Sequence, residues 1–448
     1  MLEKKISEFS SNLAVENLPV EVLHAAKRCI LDWFSAVIPG GLEDPALIIS
    51  SALVEESKLG SSTIIPSGVA TSPRAAALIN GIASHTLEVD DIYREGIYHP
   101  GPPVISASLA LAESRKISGS ELVASIIAGY EISNRIAAAM QPEHYQFWHT
   151  TGTVGSIGAS VGSARVLRLG SKKTEYALAN SVTSAAGLQQ GLLSDSMTKS
   201  FHAGRAAEAG VLCAIAAECG FTGAEYMIQG QKGLGNAMGK SIDWTSEFSQ
   251  LGAEYTISQM TQKNHFCCGH NFAPVDGVLK IIKQEKIKPQ EISSIKIGTY
   301  EKAIEICGNY KPQSIYQAKF SLPYTVAVAC FQGNVRQKAF SKKWFSDKRV
   351  WEFMKNIELN VDKKADSVFP GSREAYVTVN TVSKRSFSSR ILTRVGDPDA
   401  PLSDKELESK FFELVNPVIG RSAADALKTN LWSLEEVADV SQIFRLAS

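Results

Sequence analysis

The sequence predicts a mainly α chain whose last third changes into a smaller α+β region before helix returns at the end. Three observations predict it. Alanine-rich helical periodicity runs to about residue 260, period-two alternation of β-branched residues appears only after about residue 290, and helical spacing resumes at Ser403. The bounds are therefore 1–260 and 403–448 for an all-helical domain and 261–402 for an α+β domain, with the tail placed to pack back on the first domain.

The first helix starts where Pro19 suits a first helical position, and Leu23, Ala26, Ile30, Phe34 and Val37 follow at helical spacing before Gly40-Gly41. Further helices are expected at 46–57, 73–87, 105–114, 119–139, 154–167, 173–187 and 203–219, separated by glycine or proline. Residues 62–65, β-branched and followed by Pro66, read as a short strand. Later strands are expected around Ile295, Ile297 and Thr299, then at 357–361, 375–382 and 386–395. Helices at 274–285, 323–332 and 346–355 fit one face of an antiparallel sheet. Ser403 and Glu406 form a capping box for the last helical stretch, 403–447.

Composition narrows the function. Of 448 residues 44% are hydrophobic and 21% charged, so a sizeable core is available. Lys plus Arg equals Asp plus Glu at 46 each, so no global field draws the chain to nucleic acid or a membrane, and any anion site must be local. The N-terminus lacks a signal-peptide core and no run reaches about 18 apolar residues, which sets the expectation of a cytoplasmic protein. Seven cysteines without a C-x-x-C pair read as reduced thiols.

Four segments carry polar residues that alanine-rich helices do not need. In the first, His85 to Asp91 followed by His99-Pro100-Gly101, acids sit at a helix end where the dipole disfavours them. A solvated helix end and a ligand site both remain open. In the second, His149-Thr150-Thr151-Gly152 and the small residues after it permit either close packing or an anion at a helix N-terminus, with His149 able to move protons. In the third, Lys199, His202 and Arg205 cluster at a helix entrance, where cations need an anion nearby. A bound carboxylate meets that need, as does pairing with Asp195 and Glu208. The fourth, Lys263 to His270, holds two histidines and two cysteines, but no second cluster completes a zinc site, so these read as cleft residues and no metal is expected. There is no dinucleotide-binding glycine turn after a strand, no phosphate-binding Walker loop, and no nucleophile elbow between a strand and a helix. What remains is cofactor-free acid–base chemistry on a small anion.

At these segments the chain resembles the MmgE/PrpD family, through LPVEVLHAAKRCILDWFSAVIPG, NGIASHTLEVDD followed by HPG, WHTTGTVGSIGAS, TKSFHAGRAAEAG, KNHFCCGH and AKFSLPYTVAVA. The resemblance implies a helical domain built from both chain ends, an inserted α+β lid domain, a homodimer, and an active site in the cleft between domains. It also implies functional groups at Asp91, His99, His149, Lys199 and Lys263, with Tyr310 as candidate for a lid tyrosine. Expected roles are catalytic for Lys263, His149, His99 and Lys199, and substrate-binding for Asp91, His202, Arg205, Thr150 and Tyr310. Asp91-Ile92 replaces an acid–threonine pair seen in several relatives, and the loop before His99 is longer. The expected reaction is epimerisation beside a carboxylate of a small polycarboxylic acid such as iminodisuccinate. Dehydration of a 2-methylcitrate-like acid and cis-aconitate-type decarboxylation are the sister outcomes, and non-catalytic anion binding is the reading of a different class.

Overall fold

Small residues set the closest helix crossings in the helical part of the chain, while large apolar residues such as Trp33, Phe34, Ile126 and Phe411 fill its main core. The computed structural model describes residues 2–56 and 60–445; the ends of three expected segments, Met1, Ser57 and Ala447, lie outside them. One unit comprises Met1–Gln262 and Ser403–Ser448, the other Lys263–Leu402.

The first unit contains α1 (Leu2–Asn12), α2 (Val20–Gly40), α3 (Asp44–Ala52), a hairpin of β1 (Ser62–Ile64) and β2 (Val69–Thr71), and α4 (Pro73–Thr86). After β3 (Ile92–Tyr93) come α5 (Gly101–Arg115), α6 (Gly119–Ala139), α7 (Thr150–Val166), α8 (Ser171–Thr183) and α9 (Thr198–Glu218). The two-residue β4 (Met260–Thr261) pairs antiparallel with β3. Ala76, Ala77, Ala107, Ala110, Ala159, Ala207 and Val211 form a buried seam between α4, α5, α7 and α9. A methyl group on Gly81 would stand 2.8 Å from the Gly204 Cα, so α4 and α9 cross with their backbones nearly touching. Gly155 faces Pro103 and Gly158 faces Ser133 in the same manner, which assigns these two glycines to packing. Gly158 to Gly162 spells G-x-S-x-G, yet Ser160 lies buried inside α7, far from any strand-to-helix turn.

Several boundaries differ from the sequence reading. Pro19 is the N-cap of α2 and Val20 its first residue, with the helix continuing through Pro39. α5 begins at Gly101, four residues before the expected 105, because Pro102 and Pro103 fall in its first turn, where a missing N–H is not needed. α7 and α9 begin at Thr150 and Thr198 instead of 154 and 203, so their polar residues are helix N-termini and not preceding loops. Residues 220–262, expected to be helical, are mostly turns around the short helices Leu234–Met238 and Trp244–Glu247. Glycine is dense there, and no apolar stripe favours longer helices.

The C-terminal helices Asp404–Ile419 and Arg421–Trp432 belong to the first unit. The expected capping box forms, with Ser403 Oγ accepting from Glu406 N–H and Glu406 accepting from Ser403 N–H. Asp404 pairs with His24 and Arg28 on α2, and buried Lys410 donates to Asp32 at 2.6 Å.

In the second unit the strand order is β6 (Ile357–Val361), β5 (Ile292–Thr299), β7 (Ala375–Thr381), β8 (Ser386–Ile391). The sheet is mixed, because β5 and β6 run parallel, which corrects the antiparallel expectation; a crossover through several short helices separates them. Period-two burial along β7 places Ala375, Val377, Val379 and Thr381 inward, where helix Phe272–Glu285 packs with Gly277 against Val377. β8 ends at Ile391, short of the expected 395. Among the described residues, no helix is long and apolar enough to cross a membrane.

Candidate active site

The close helix packing brings one end of α4 and the N-termini of α5, α7 and α9 together. α4 ends in buried His85, and Glu88 then takes a left-handed backbone conformation (φ 60°), a turn unusual for a residue with a side chain. That turn sends three successive acids to different partners. Glu88 is buried and ion-pairs with the Lys199 ammonium in the first turn of α9. Asp90 Oδ2 lies 2.7 Å from His85 Nδ1 and 2.9 Å from His99 Nδ1. Asp91 points elsewhere, accepting from Tyr130 Oη at 2.7 Å and from the Gly101 N–H at the start of α5 at 3.1 Å. Burial, with the Asp32 charge second, pushes the Asp91 carboxyl up to about 8, against the pull of those two hydrogen bonds.

His149 is the N-cap of α7 and its N–H donates to the Gly187 carbonyl. Its Nδ1 lies 3.1 Å from His202 Nδ1, so one ring donates and the other accepts, and its ring stacks on His85 at 5.6 Å. Burial, then His85, Lys199, His202 and His99, hold His149 well below the usual imidazole range. Burial, His85 and Lys199 bring His202 down to about 4. The close approach requires Gly152, where a methyl group would stand 3.0 Å from His202 Cβ and 2.5 Å from the Ala186 carbonyl oxygen. Of the glycines in this segment, Gly152 therefore serves the site.

The structure thus gathers four residues singled out in the sequence, His99, His149, Lys199 and His202. It adds three that were not chosen, His85, Glu88 and Asp90. The misplaced acids were the available signal; only the fold shows that the groups answering them are the Lys199 ammonium of α9 and the rings of His85 and His99. Arg205 is not gathered: its exposed side chain pairs with Glu208, which also receives Arg74. The expected three-cation cluster is corrected accordingly, since Arg205 lies about 120° around α9 from Lys199 and turns to Glu208 on its own helix. Thr150 Oγ1 accepts from Gln141 at 3.2 Å, while its neighbour Thr151 accepts from the His99 N–H.

Lys263 is fully buried at the start of the second unit. Within that unit Tyr310 Oη donates to the Ile357 carbonyl, which commits its hydroxyl to β6. His265 pairs with Asp276 and His270 with Tyr300, so the histidines of this segment have separate partners. Among the described residues, the trio with a spacing that approaches a metal site is His85, Asp90 and His99. Ligands about 2.05 Å from a tetrahedral zinc stand about 3.3 Å apart. Here the His85–Asp90 separation of 2.7 Å is a hydrogen bond and the His99–Asp90 separation of 2.9 Å an ion-pair distance, both shorter than that spacing.

Neutral imidazoles and a buried lysine at two helix N-termini suit a small polyanion, whose arrival would favour protonation of the same rings. The MmgE/PrpD N-terminal domain matches residues 4–247 and the MmgE/PrpD C-terminal domain matches residues 265–436. The chain belongs to the MmgE/PrpD family. It is 24% identical to cis-aconitate decarboxylase of Homo sapiens, covering 100% of this chain and 95% of that protein. It is 23% identical to cis-aconitate decarboxylase of Aspergillus terreus, covering 99% and 95%. The cis-aconitate decarboxylase-like protein oryM of Aspergillus oryzae is 21% identical, covering 99% and 96%.

Proposed function

We propose that this chain is a cofactor-independent decarboxylase of a small unsaturated polycarboxylate of the cis-aconitate type. The sequence alone favoured epimerisation of iminodisuccinate; the full-length similarity to cis-aconitate decarboxylases moves the preference to carbon–carbon lyase chemistry. The observation that carries the reading is the grouping of His99, His149 and His202 with Lys199 at the N-termini of α5, α7 and α9.

In such a substrate one carboxylate is attached to a methylene beside a carbon–carbon double bond. Its C–C bond breaks and carbon dioxide leaves, the released pair forms a new double bond to the methylene carbon, and the old π pair takes a proton at the carbon beside a second carboxylate. The reaction needs no oxidant or reductant. It needs charge compensation for the carboxylates and one proton delivered to one carbon face. Lys199 and the dipoles of α7 and α9 supply the first. The histidines supply the second, because a bound polyanion opposes the burial and the neighbouring positive charges that hold His149 and His202 below the usual imidazole range. Lys263 retains a proposed catalytic role on the family resemblance. Tyr310 and Arg205 are not carried into the mechanism. A homodimer remains the proposed assembly.

The test is to incubate the enzyme in deuterated water with cis-aconitate, 2-methylcitrate and iminodisuccinate separately, following each by proton NMR. Loss of carbon dioxide from cis-aconitate with one deuterium in the product supports the proposal. Exchange with an intact skeleton on iminodisuccinate, loss of water from 2-methylcitrate, or no reaction on any of the three would overturn it.

A further inference from the structure

The contact between His149 and His202 limits how many protons the two rings can hold. Their Nδ1 atoms face each other at 3.1 Å, and among the described residues this is the one hydrogen bond that either imidazole makes. Two nitrogens cannot both donate across one bond, so a single hydrogen lies between them. Each neutral ring carries one proton, so the second proton of the pair sits on Nε2 of the accepting ring, and the other Nε2 is a lone pair. A third proton gives both rings an Nε2–H with the central bond intact, whereas a fourth would set two Nδ1–H groups against each other. We propose that His149 and His202 form one acid that loads a single proton, with His149 as the ring that delivers it and His202 as the ring that carries its charge. This deepens the decarboxylase reading and rests on it for the direction of proton transfer.

The fold makes the two rings unequal. His149 is buried, with its ring centroid 5.6 Å from that of His85 and 5.3 Å from that of His202. His202 is half-buried, in a slot of glycine backbone. A methyl group on Gly187 would stand 3.3 Å from its Cγ and Nδ1, and one on Gly191 would stand 3.4 Å from its Cε1. The Gly187 carbonyl also accepts the His149 N–H at 2.9 Å, so one glycine places both partners. Around the pair stand His85 at the end of α4, His99 before α5 and Lys199 on α9, whose positive charges disfavour a cation on His149. Glu88 lies against Lys199, and Asp90 against His85 and His99. A cation costs less on the ring nearer water. In the loaded pair the central proton therefore belongs to His202, the imidazolium, and His149 is neutral with its proton on Nε2. When the substrate carbon takes that Nε2 proton, the central proton passes from His202 Nδ1 to His149 Nδ1. The C–H bond formed replaces the His149 N–H bond, the charge on His202 is discharged, and the buried ring is neutral before and after. Once product leaves, water returns a proton to His149 Nε2, and the central proton moves back to His202.

The bridging hydrogen can be sought in the full chain without substrate or variants. In 15N-histidine-labelled protein, one downfield proton that correlates with two Nδ1 nitrogens is expected from the 3.1 Å contact. The charge-carrying role is tested on cis-aconitate with His202→Gln, whose amide fills the slot but cannot hold the proton. There kcat is expected to fall on the order of 10²-fold with KM within about threefold. The pair works as an acid, so turnover is lost as pH rises through its pKa in the substrate complex. In His202→Gln the cation must form on buried His149, so that falling limb should move to lower pH by about one unit or more. A merely structural change would lower kcat and leave the limb in place. The proposal is overturned if both rings of the unaltered protein are Nε2–H tautomers without a bridging proton, or if His202→Gln leaves kcat or the limb unmoved. Inert cis-aconitate with the bridging proton present would instead overturn the decarboxylase reading alone.

Discussion

Lys410 ties the C-terminal helices to the site loop, and its removal is expected to be among the most damaging single changes in the first unit. Its ammonium is fully buried and donates to Asp32 Oδ1 at 2.6 Å and to the Val89 carbonyl at 2.5 Å, next to the turn that aims Glu88, Asp90 and Asp91. Lys410→Met keeps most of the apolar stem but takes the ammonium away from the Asp32 carboxylate and the Val89 carbonyl. Breaking one side of a buried ion pair costs about 3–5 kcal/mol. A value near the middle of that range changes the unfolding constant by about 10³-fold. Asp32→Leu alone should cost a similar amount by removing the carboxylate from the buried ammonium, which then keeps the Val89 carbonyl but no counter-charge from Asp32. The double variant Lys410→Met/Asp32→Leu removes both charges and should recover a large part of the loss, since well-packed apolar replacements of buried pairs are often close to neutral. Guanidinium unfolding followed by circular dichroism on the four proteins gives the coupling. If either single variant costs less than about 1 kcal/mol, or the double variant costs the sum of the two, the pair does not anchor the tail as argued.

His149→Ala is expected to lower turnover by at least about 10²-fold while the circular dichroism spectrum is kept; near-normal turnover would remove the residue from the mechanism. Gly152→Val should separate His149 from His202 by forcing the Ala186–Gly187 backbone away, reducing kcat in parallel with a change in the His202 NMR signal, whereas unchanged kcat would show that the 3.1 Å contact is not used. Stability should peak close to pH 6.5. His144 and His202 are lowered to about 4, so between there and about 6.5 the unfolded chain binds protons that the native state refuses, and stability falls as pH drops. Asp91 is raised to about 8, so the native state keeps a proton that the unfolded chain has lost, and stability falls as pH rises toward 8 by at most about 1.4 kcal/mol per pH unit. Urea titrations at pH 5, 6.5 and 8 check both limbs, and Asp91→Asn should flatten the upper one.

Much of the architecture was legible because helical periodicity and strand alternation are local signals. The α6 and β6 boundaries agree with the sequence reading to the residue, and the Ser403–Glu406 capping box forms as expected. The helix starts at Gly101, Thr150 and Thr198 are not legible in the sequence because each opens with residues that lack apolar periodicity. The parallel pairing of β5 with β6 depends on the crossover between them, which alternation within either strand cannot encode.

The site was legible as a set of segments but not as a set of contacts, and the adjacent pair Asp90 and Asp91 shows why. Nothing in the dipeptide says which carboxylate meets the histidines. The left-handed turn at Glu88 decides it, placing Asp90 against His85 and His99 and Asp91 under the α5 N-terminus with Tyr130. The two acids then have opposite duties. Asp90 lies against the His85 and His99 imidazoles, whereas Asp91, pushed toward its protonated form by burial and by Asp32, holds α5 and hence the residues just before it, His99 and Pro100. Loss of Asp91 should therefore impair catalysis through the placement of His99. The expectation that Asp91 itself touches substrate becomes separable from this one, because a substrate contact would raise KM, while a displaced His99 would lower kcat.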